Sequence, residues 1–560
     1  MNNEKYLSWK NCDTLNEELK NQLNRMLDDD IEDAFSSAVE FGTAGMRGVL
    51  GPGPNRINEY TIRKASYGFA KYLKTIESTF GNRVAIGYDN RHYSKEFAYE
   101  TAKVLASFDL EVYVYPSLRS TPQLSFAVRH LKCAGGVMIT ASHNPREYNG
   151  YKVYDHTGCQ LLPEPVGEIV KYFQEIENEL EYLVELTASQ EKLIKDITEE
   201  VNDEYYKNVL DISIHKNLDK SNFKIAYSSQ HGTGLTPITE VFKRAGYSLE
   251  YVESQASFDP DFSNTKSANP EEAAAYDELI MLGKKHQADI IITTDPDADR
   301  IGVGVFSEND YVILNGDKIG AILLEYLLSN LDEKVNKERL LVVNTVVSSD
   351  FVKRLLAGHG VNLTQTLTGF KYIGNLIEHY SKTNEKDFFF GYEESHGYLI
   401  KPFVRDKDGI QACFLLAEAA LYYKQKGKTL IGVLNELSDK YGYYLERQVS
   451  VSLKGPEGPN KLKSIMNLFR EEIFTNLGKY IINKKEDYLL QESIIKGNRV
   501  KLEYDQTNMI KLYINEGWIA IRPSGTEPKL KIYYCLNSKS QREVTDLFID
   551  VQNTINKLIG

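Results

Sequence analysis

Short apolar runs alternate with amphipathic segments over the first third of the chain. Strand-like runs span residues 83–89, 110–115 and 136–140, and the segment 94–108 between the first two has helical spacing. This alternation is typical of α/β domains built on a parallel sheet. Ser142 directly follows the third run. Because open parallel sheets bind ligands beyond the carboxyl ends of their strands, the pattern predicts that Ser142 lies at a ligand site.

The N-terminal segment has the pattern of an amphipathic helix. Thr14 and Glu17 have capping-box spacing, and an acidic run follows at 28–30. Between them, apolar side chains recur at helical intervals at Leu15, Leu19, Leu23, Met26 and Leu27. We therefore expect one helix here that packs on the first domain.

The next part of the chain links this domain to a second α/β stretch. Residues 166–203 are rich in Glu and Lys, as expected of solvent-facing helices. A strand is predicted at 223–227. Asn269 followed by Pro270 predicts the start of a helix, and a strand at 289–293 follows it.

Two further α/β stretches complete the predicted organisation. The third has a strand at 340–346, a turn at Gly369 and a loop at Gly391, and the fourth has strands near 500–504, 509–514 and 518–522. The predicted domain boundaries are 1–205, 206–316, 317–443 and 444–560.

Composition narrows the class of protein. A chain of 560 residues with 42% hydrophobic content is expected to form several packed domains. The formal net charge of −13 disfavours a nucleic-acid partner, so an anionic ligand would need a local basic pocket. A polar N-terminus and the lack of a long apolar run predict a soluble cytoplasmic protein with no membrane partner. The five cysteines are scattered and are expected to be reduced thiols.

Four polar motifs carry the candidate chemistry. Ser142 lies in segment 140–145, and the other motifs span 295–300, 393–397 and 522–528. They offer a hydroxyl, a carboxylate cage, a polar carboxylate loop and a cationic phosphate loop, which metal-assisted phosphoryl transfer onto a sugar would need. The alternating aspartates Asp295, Asp297 and Asp299 can converge on one cation, and such hard oxygen ligands suit Mg²⁺.

With the segment 41–48, these motifs resemble the α-D-phosphohexomutase superfamily, and the resemblance extends from Phe41 to Arg522. The long N-terminal segment and the 391–395 loop are most similar to its phosphoglucomutase and phosphopentomutase branch. The resemblance implies an α/β fold of four domains around a central cleft, namely three similar α/β domains and a smaller C-terminal α+β domain.

The resemblance also implies roles at the reacting end of the substrate. Ser142 would be phosphorylated in the resting enzyme and would transfer its phosphoryl group to a substrate hydroxyl. It would then take back the phosphoryl group from the other end of the resulting bisphosphate. Arg47 would contact the phosphoserine region and Arg300 the transferring phosphate. One Mg²⁺ per subunit would be bound by Ser142, Asp295, Asp297 and Asp299.

Other motifs are expected to bind the sugar and its second phosphate. Glu393 and Ser395 resemble the pair that contacts the ring hydroxyls. Further substrate contacts are expected at Thr368, Gly369, Lys371 and Lys407. The second phosphate would be bound by Arg522, Ser524, Gly525 and Thr526, for which the alternative is a surface turn before a strand.

The residue that moves the proton is left open. Lys152 matches a family lysine, and crowding by Arg47 and other cations predicts a lowered pKa suited to acid/base work. His143 adjoins the nucleophile and could donate to the phosphate or orient it.

The expected reaction is the interconversion of α-D-glucose 1-phosphate and glucose 6-phosphate through glucose 1,6-bisphosphate, which is also the expected activator. Alternatives within the superfamily are mutases of pentose or mannose phosphates and a bisphosphate synthase. Two others are a haloacid-dehalogenase-type phosphotransferase with Asp295 as nucleophile and Asp297 as acid/base, and a non-catalytic sugar-phosphate sensor. Small sugar phosphates are the expected partners, and the protein is expected to be a monomer or a homodimer.

Overall fold

The computed structural model of the chain describes residues 3–42, 45–453, 458–471, 475–523 and 529–559. The chain divides into two compact units. Unit 1 comprises Met1–Leu314 and Phe370–Lys426, and unit 2 comprises Asn315–Gly369 and Gly427–Gly560.

The first part of unit 1 is built around a seven-stranded sheet. Its strands are β1 Phe41–Gly42, β2 Gly45–Val49, β3 Arg83–Tyr88, β4 Glu111–Val114, β5 Gly135–Ile139, β6 Tyr148–Asp155 and β7 Ile194–Asp196. The helices are α1 Asn3–Lys10, α2 Glu17–Leu23, α3 Asp28–Phe35, α4 Glu59–Phe80, α5 Ser94–Ser107, α6 Thr121–His130, α7 Pro163–Gln174, α8 Ala188–Glu191 and α9 Glu199–Leu210. The strand order is β1-β2-β6-β5-β3-β4-β7. Strands β5, β3, β4 and β7 are parallel, which confirms the predicted α/β organisation.

The N-terminal prediction is wrong in one respect. The segment forms two helices, α2 and α3, and the N-cap of α2 is Asn16, whose side chain accepts a hydrogen bond from Leu19 N at 2.8 Å. Leu27 is 72% exposed because it precedes α3 at the bend between the two helices. The expected packing on the first domain is present, since Leu15 and Leu19 share a cluster with Tyr60 of α4.

The segment 166–203 also differs from the expectation of solvent-facing helices. Val166, Ile169 and Phe173 of α7 are buried in the core of the first sheet. Strand β7 pairs in parallel with β4 and extends the sheet. Neither feature was predicted, because the high Glu and Lys content of the segment indicated exposure to solvent.

The second part of unit 1 has a five-stranded sheet with the order β12-β11-β10-β8-β9. Its strands are β8 Ile225–Ser228, β9 Leu249–Tyr251, β10 Ile290–Thr294, β11 Ile301–Ser307 and β12 Asp310–Leu314, and its helices are α10 Leu235–Arg244 and α11 Asp277–His286. Asn269 caps only a turn, with its side chain accepting from Glu271 N at 3.2 Å. The helix begins at Asp277, later than predicted, after a 3-10 turn at Ala273–Tyr276.

The third predicted domain is divided between the units. Unit 2 contains α12 Gly316–Ser329, β13 Leu340–Thr345, α13 Asp350–Gly358 and β14 Leu363–Thr366, with β13 parallel to β14. Unit 1 contains α14 Phe370–Thr383, β15 Asp387–Glu393, β16 Gly397–Leu399 and α15 Gly409–Gln425, with β15 antiparallel to β16. Gly391 therefore lies in a strand, and the predicted loop is shortened to residues 394–396.

The rest of unit 2 is an α+β structure. Its helices are α16 Leu430–Tyr441, α17 Gly458–Arg470 and α18 Gln541–Ile559. Its strands are β17 Tyr443–Ser452, β18 Asn476–Leu477, β19 Tyr480–Ile481, β20 Lys484–Asp487, β21 Glu492–Ile495, β22 Asn498–Lys501, β23 Ile510–Ile514, β24 Gly517–Pro523 and β25 Lys529–Ser538. Seven of them form an antiparallel sheet in the order β17-β25-β24-β23-β20-β21-β22. Apolar side chains of β23, β24, β25 and α18 form its core.

None of the helices within the described residues has both the length and the apolar composition that crossing a bilayer requires. The five cysteines carry free thiols, and four of them are buried.

The turn that follows β10 packs closely against Gly232. A Cβ on Gly232 would lie 2.4 Å from Pro296 Cα and 2.6 Å from Pro296 O. We expect Gly232→Ala to lower the free energy of unfolding by about 1–3 kcal/mol, because backbone must move to admit the methyl group. Gly167→Ala is the matched control, since its Cβ would meet nothing within 4 Å on an exposed face of α7. It should raise stability by about 0.4–1 kcal/mol. Chemical denaturation measures the free energy of unfolding of both variants. Equal changes in this free energy would contradict the packing argument.

Candidate active site

Ser142 and the aspartate loop come together from two different sheets. Ser142 follows β5 of the first sheet, and Asp295 follows β10 of the second. The Ser142 hydroxyl donates a hydrogen bond to Asp295 Oδ2 at 2.9 Å. Two of the motifs found in the sequence, 153 residues apart, therefore form one site.

Ser142 has an unusual backbone conformation. Its φ is 53°, in the left-handed region that non-glycine residues seldom adopt. The backbone N–H of Ser142 donates to Thr140 Oγ1 at 2.8 Å, and His143 Nδ1 lies 3.2 Å from Ser142 Oγ. Such strained conformations are common at functional sites. Here the conformation accompanies a hydroxyl that faces the aspartates.

The three aspartates are buried and converge. All five residues of β10 are buried, and the chain then makes a tight turn with Ala298 at φ 54°. One carboxylate oxygen from each of Asp295, Asp297 and Asp299 lies within 4.8 Å of the others. Burial and the neighbouring Asp297 and Asp299 carboxylates raise the pKa of Asp295 well above its usual value.

Two buried lysines neutralise part of this negative charge. Lys152 Nζ lies 2.7 Å from Asp297 Oδ2 and 3.6 Å from Asp299 Oδ2, and Lys407 Nζ lies 3.2 Å from Asp299 Oδ2. Burial alone would lower the pKa of Lys152, but Asp297 and Asp299 outweigh it and raise the pKa. The same balance, with Asp299 and Asp406, raises the pKa of Lys407. The prediction that the pKa of Lys152 is lowered is therefore wrong, because the charged groups nearest to Lys152 are carboxylates.

The residues present fit a divalent cation. Asp297 Oδ1 and Asp299 Oδ1 are buried and have no hydrogen-bond partner, whereas the Oδ2 atoms of both face the lysines. A buried carboxylate oxygen without a partner costs free energy unless a cation or another donor satisfies it. Three converging carboxylates are also a donor set suited to a hard divalent ion. The aspartate loop could therefore hold a metal.

The motif that the sequence predicts to bind the sugar lies beside the aspartate loop. Arg300 forms a β-bridge with Gly397, and Ile301 N donates to His396 O at 3.1 Å. Glu393 is buried at the end of β15, and Ser395 is partly buried in the loop after it. Arg300 N donates to Asp295 Oδ1 at 3.0 Å, while its side chain pairs with Glu271 at 2.6 Å.

The remaining residues predicted for the site have fewer contacts with Ser142 and the aspartate loop. Arg47 is exposed and donates to the Asn144 side chain at 2.9 Å, next to the Ser142 loop. Lys371 is buried in the first turn of α14 in unit 1. Thr368, Gly369 and Arg522 belong to unit 2, with Arg522 in β24. The prediction for Ser524, Gly525 and Thr526 falls outside the described residues.

The sequence interpretation missed two residues. Thr121 Oγ1 donates to Asp297 Oδ2 at 2.8 Å, and Thr121 N donates to Asp297 O at 2.9 Å. Arg91 donates to backbone carbonyls of the Ser142 loop. Both follow parallel strands of the first sheet, β4 and β3, at the edge where Ser142 lies. Position after a predicted strand was the signal that could have found them.

Models of four phosphoglucomutase/phosphomannomutase domains match the chain. The alpha/beta/alpha domains I, II and III match residues 38–180, 203–307 and 315–441, and the C-terminal domain matches 482–551. These matches confirm the predicted fold class of three α/β domains and a smaller C-terminal domain. The predicted domain boundaries stay predictions.

Curated relatives and solved structures are similar over nearly the whole chain. A phosphoglucomutase of Staphylococcus epidermidis (strain ATCC 12228 / FDA PCI 1200) is 39% identical over 531 residues, covering 94% of this chain and 96% of that protein. A phosphoglucomutase of Staphylococcus aureus (strain MRSA252) is 36% identical, covering 95% and 94%. The fold is similar to pp63/parafusin (phosphoglucomutase) from Paramecium, open form, with a TM-score of 0.67 at 18% identity, covering 93% and 96%. A phosphoglucomutase/phosphomannomutase family protein from Burkholderia thailandensis has a TM-score of 0.66 at 17% identity, covering 92% and 97%.

The metal-binding capacity of the aspartate loop can be tested by thermal unfolding. MgCl2 should raise the Tm of the protein, because a ligand at 100 times its Kd stabilises the folded state by about 2.7 kcal/mol. Asp295→Asn should lose this shift, while its Tm without the ion should be unchanged or higher, since one of three mutually repelling carboxylates is removed. Asp310→Asn, in an exposed pair with Lys284, is the control and should keep the shift. A full shift in Asp295→Asn would contradict the assignment.

Proposed function

Because the chain belongs to the phosphoglucomutase/phosphomannomutase family, we propose that it interconverts α-D-glucose 1-phosphate and glucose 6-phosphate. The chain is a mutase of the isomerase class, as its family domains and its curated relatives indicate. The observation that carries the proposal is the hydrogen bond from the Ser142 hydroxyl to Asp295 in the buried aspartate cluster. It supports the proposal because it brings the proposed nucleophile next to a carboxylate site, as phosphoryl transfer would need.

The proposed reaction proceeds in two transfers through Ser142. In the first, the bond from phosphorus to Ser142 Oγ breaks as a bond forms to the free hydroxyl oxygen of the sugar phosphate, which loses its proton. The product is glucose 1,6-bisphosphate, and the Ser142 oxygen is left to regain a proton. In the second, the bisphosphate has turned end for end, and a bond forms from Ser142 Oγ to the phosphorus at its other end as Ser142 loses its proton. The bond from that phosphorus to the sugar oxygen breaks, and the sugar oxygen takes up a proton. The identity of the proton carrier stays open between Lys152 and His143, as predicted from the sequence.

The aspartate loop is the proposed Mg²⁺ site. Asp295, Asp297 and Asp299 would hold the ion together with an oxygen on Ser142. When bound, Mg²⁺ would offset the charge on the phosphoryl oxygens during transfer. The chain's own contribution is to hold the carboxylates in place through Lys152, Lys407 and Thr121.

The lysines have a second proposed role. With raised pKa values, Lys152 and Lys407 are ammonium groups at neutral pH and can donate hydrogen bonds to phosphoryl oxygens. Arg300, whose backbone N–H already binds Asp295, would turn its side chain from Glu271 to the transferring phosphate. Glu393 and Ser395 would contact the ring hydroxyls, with Lys371, Thr368 and Gly369 as further contacts.

The dehalogenase-type alternative has little support. Both oxygens of Asp295 are engaged, Oδ1 by Arg300 N and Oδ2 by the Ser142 hydroxyl. A buried carboxylate held on both oxygens and with a raised pKa is a poor nucleophile. Membership in the phosphoglucomutase/phosphomannomutase family also argues against this alternative. The other alternative, a non-catalytic sugar-phosphate sensor, would not need both Ser142 and the three aspartates.

Phosphate at Ser142 is the most direct test of the proposal. The purified protein should carry a phosphoryl group that peptide mapping assigns to Ser142, and Ser142→Ala should lower kcat by at least about 10³-fold because it removes the nucleophile. Ser189, exposed in α8, supplies the control Ser189→Ala, which should keep full activity. An acyl phosphate on Asp295, or undiminished turnover by Ser142→Ala, would refute the scheme.

Substrate preference and the role of Arg522 can be tested together by steady-state kinetics. The wild type should have a higher kcat/KM for glucose 1-phosphate than for ribose 1-phosphate or mannose 1-phosphate. Arg522→Lys should lower kcat/KM for glucose 1-phosphate by about tenfold or more, since lysine cannot bind a phosphate bidentately. Arg499→Lys, in an exposed pair with Glu492 of the same sheet, should have no effect. Preference for ribose 1-phosphate would favour the phosphopentomutase alternative.

A further inference from the structure

One buried guanidinium holds the loop that carries Ser142. Arg91 Nη2 donates to Ser142 O at 2.6 Å and to Asn144 O at 2.5 Å. Arg91 Nη1 donates to Pro145 O at 2.8 Å and to Tyr148 O at 2.9 Å. Three of the acceptors are backbone carbonyls of the connection between β5 and β6, and the fourth, that of Tyr148, belongs to the first residue of β6. Both terminal nitrogens of Arg91 are therefore occupied by the loop that carries Ser142.

Arg91 is itself fixed from several sides. Its side chain is fully buried, and Nε lies 3.2 Å from Asp89 Oδ2. Asp89 Oδ1 accepts hydrogen bonds from Arg91 N at 3.0 Å and from Ser94 Oγ at 2.7 Å. On its other side the guanidinium lies 5.2 Å from the ring of Phe262, which belongs to the second part of unit 1. These contacts anchor the guanidinium to the end of β3 and to the start of α5.

The Ser142 loop needs such a support. A left-handed conformation costs a non-glycine residue about 1–2 kcal/mol, so Ser142 would relax to another conformation unless its surroundings hold it. Its own N–H bond to Thr140 Oγ1 fixes one side of the residue. The bond from Arg91 to Ser142 O fixes the other side.

We propose that Arg91, held by Asp89, is a positioning residue that fixes the Ser142 oxygen for phosphoryl transfer by binding four carbonyl oxygens of segment 142–148. This inference rests on the proposed function and names the residue that orients its nucleophile. Arg91 does not bind the phosphate, because its four terminal N–H groups are spent on carbonyls. Lysine cannot replace it, since an ammonium group has three donors and no planar fork.

The proposal separates an effect on chemistry from an effect on binding. Within the described part of unit 1, the hydrogen-bond and ion-pair partners of Arg91 do not include Glu393, Ser395, Lys371 or Lys407. Misplacing a reacting group by about 1 Å costs about 10²-fold in rate. Arg91→Lys should therefore lower kcat by about 100-fold with KM for glucose 1-phosphate changed by less than about threefold.

The test combines steady-state and single-turnover kinetics of three variants. Rapid-quench measurement of transfer from phospho-Ser142 to glucose 6-phosphate should show the same loss in Arg91→Lys as kcat does. Arg91→Ala should regain part of its kcat in millimolar guanidinium chloride and none in methylammonium chloride. Asp89→Asn retains Arg91 but removes its ion pair. It should also lower kcat, by a smaller factor than Arg91→Lys does, and should leave KM unchanged.

A matched control separates positioning from general stability. Arg63→Lys makes the same replacement at a partly buried arginine, which pairs with Glu100 of α5 and with Glu59 of its own helix, α4. It should keep kcat and KM at wild-type values even where its Tm falls. Near wild-type kcat in Arg91→Lys and Asp89→Asn, or a loss seen only in KM, would overturn the inference. Absence of phosphate on Ser142 and of turnover in the wild type would instead overturn the proposed function.

Discussion

The burial of three carboxylates at one turn is the constraint on which the site depends. Removing an ionised carboxylate from water costs several kcal/mol unless opposite charge and hydrogen bonds compensate. Lys152 from β6 and Lys407 from the segment before α15 supply two ammonium groups, both themselves buried. These groups come from distant parts of unit 1, so the unit must fold as a whole before the aspartates can be buried at low cost. Stability and site assembly are therefore coupled.

The same constraint explains how two sheets form one site. The carboxyl ends of β5 and β10 each deliver polar side chains, and neither sheet alone completes the arrangement. Thr121 joins them, because its N–H and hydroxyl both bind Asp297. The Ser142 hydroxyl makes a further bond across the same boundary, to Asp295. Polar contacts between the first two α/β parts thus set the distance from the Ser142 hydroxyl, the proposed nucleophile, to the carboxylates, so this distance depends on tertiary structure.

Much of the fold and of the candidate site could be predicted from the sequence, and the features that were missed have identifiable physical reasons. Buried parallel strands such as β5 and β10 are short apolar runs, so their positions and the residues after them were predictable. The break between α2 and α3 before Leu27 was not predictable, because the two helices share one apolar periodicity. The pKa direction of Lys152 was predicted wrongly, since the sequence shows the cations near it in the motifs but not that Asp297 and Asp299 lie closer. Arg91 was missed because four of its partners are backbone carbonyls, so that only its position after a predicted strand pointed to it.

In Asp297 and in Asp299 the two carboxylate oxygens have different surroundings, and this difference affects how the site is prepared for a ligand. In Asp297 and Asp299 the Oδ2 atoms are held by Lys152, Thr121 and Lys407, whereas both Oδ1 atoms have no hydrogen-bond partner. Fixing one oxygen of a planar carboxylate fixes the direction of the other. The direction in which each Oδ1 points is therefore set during folding and does not have to be reached when a ligand binds. Preorganised dipoles of this kind stabilise developing charge without a further reorganisation cost during the reaction. The neutralising lysines that make the burial tolerable thus also orient the oxygens that remain available.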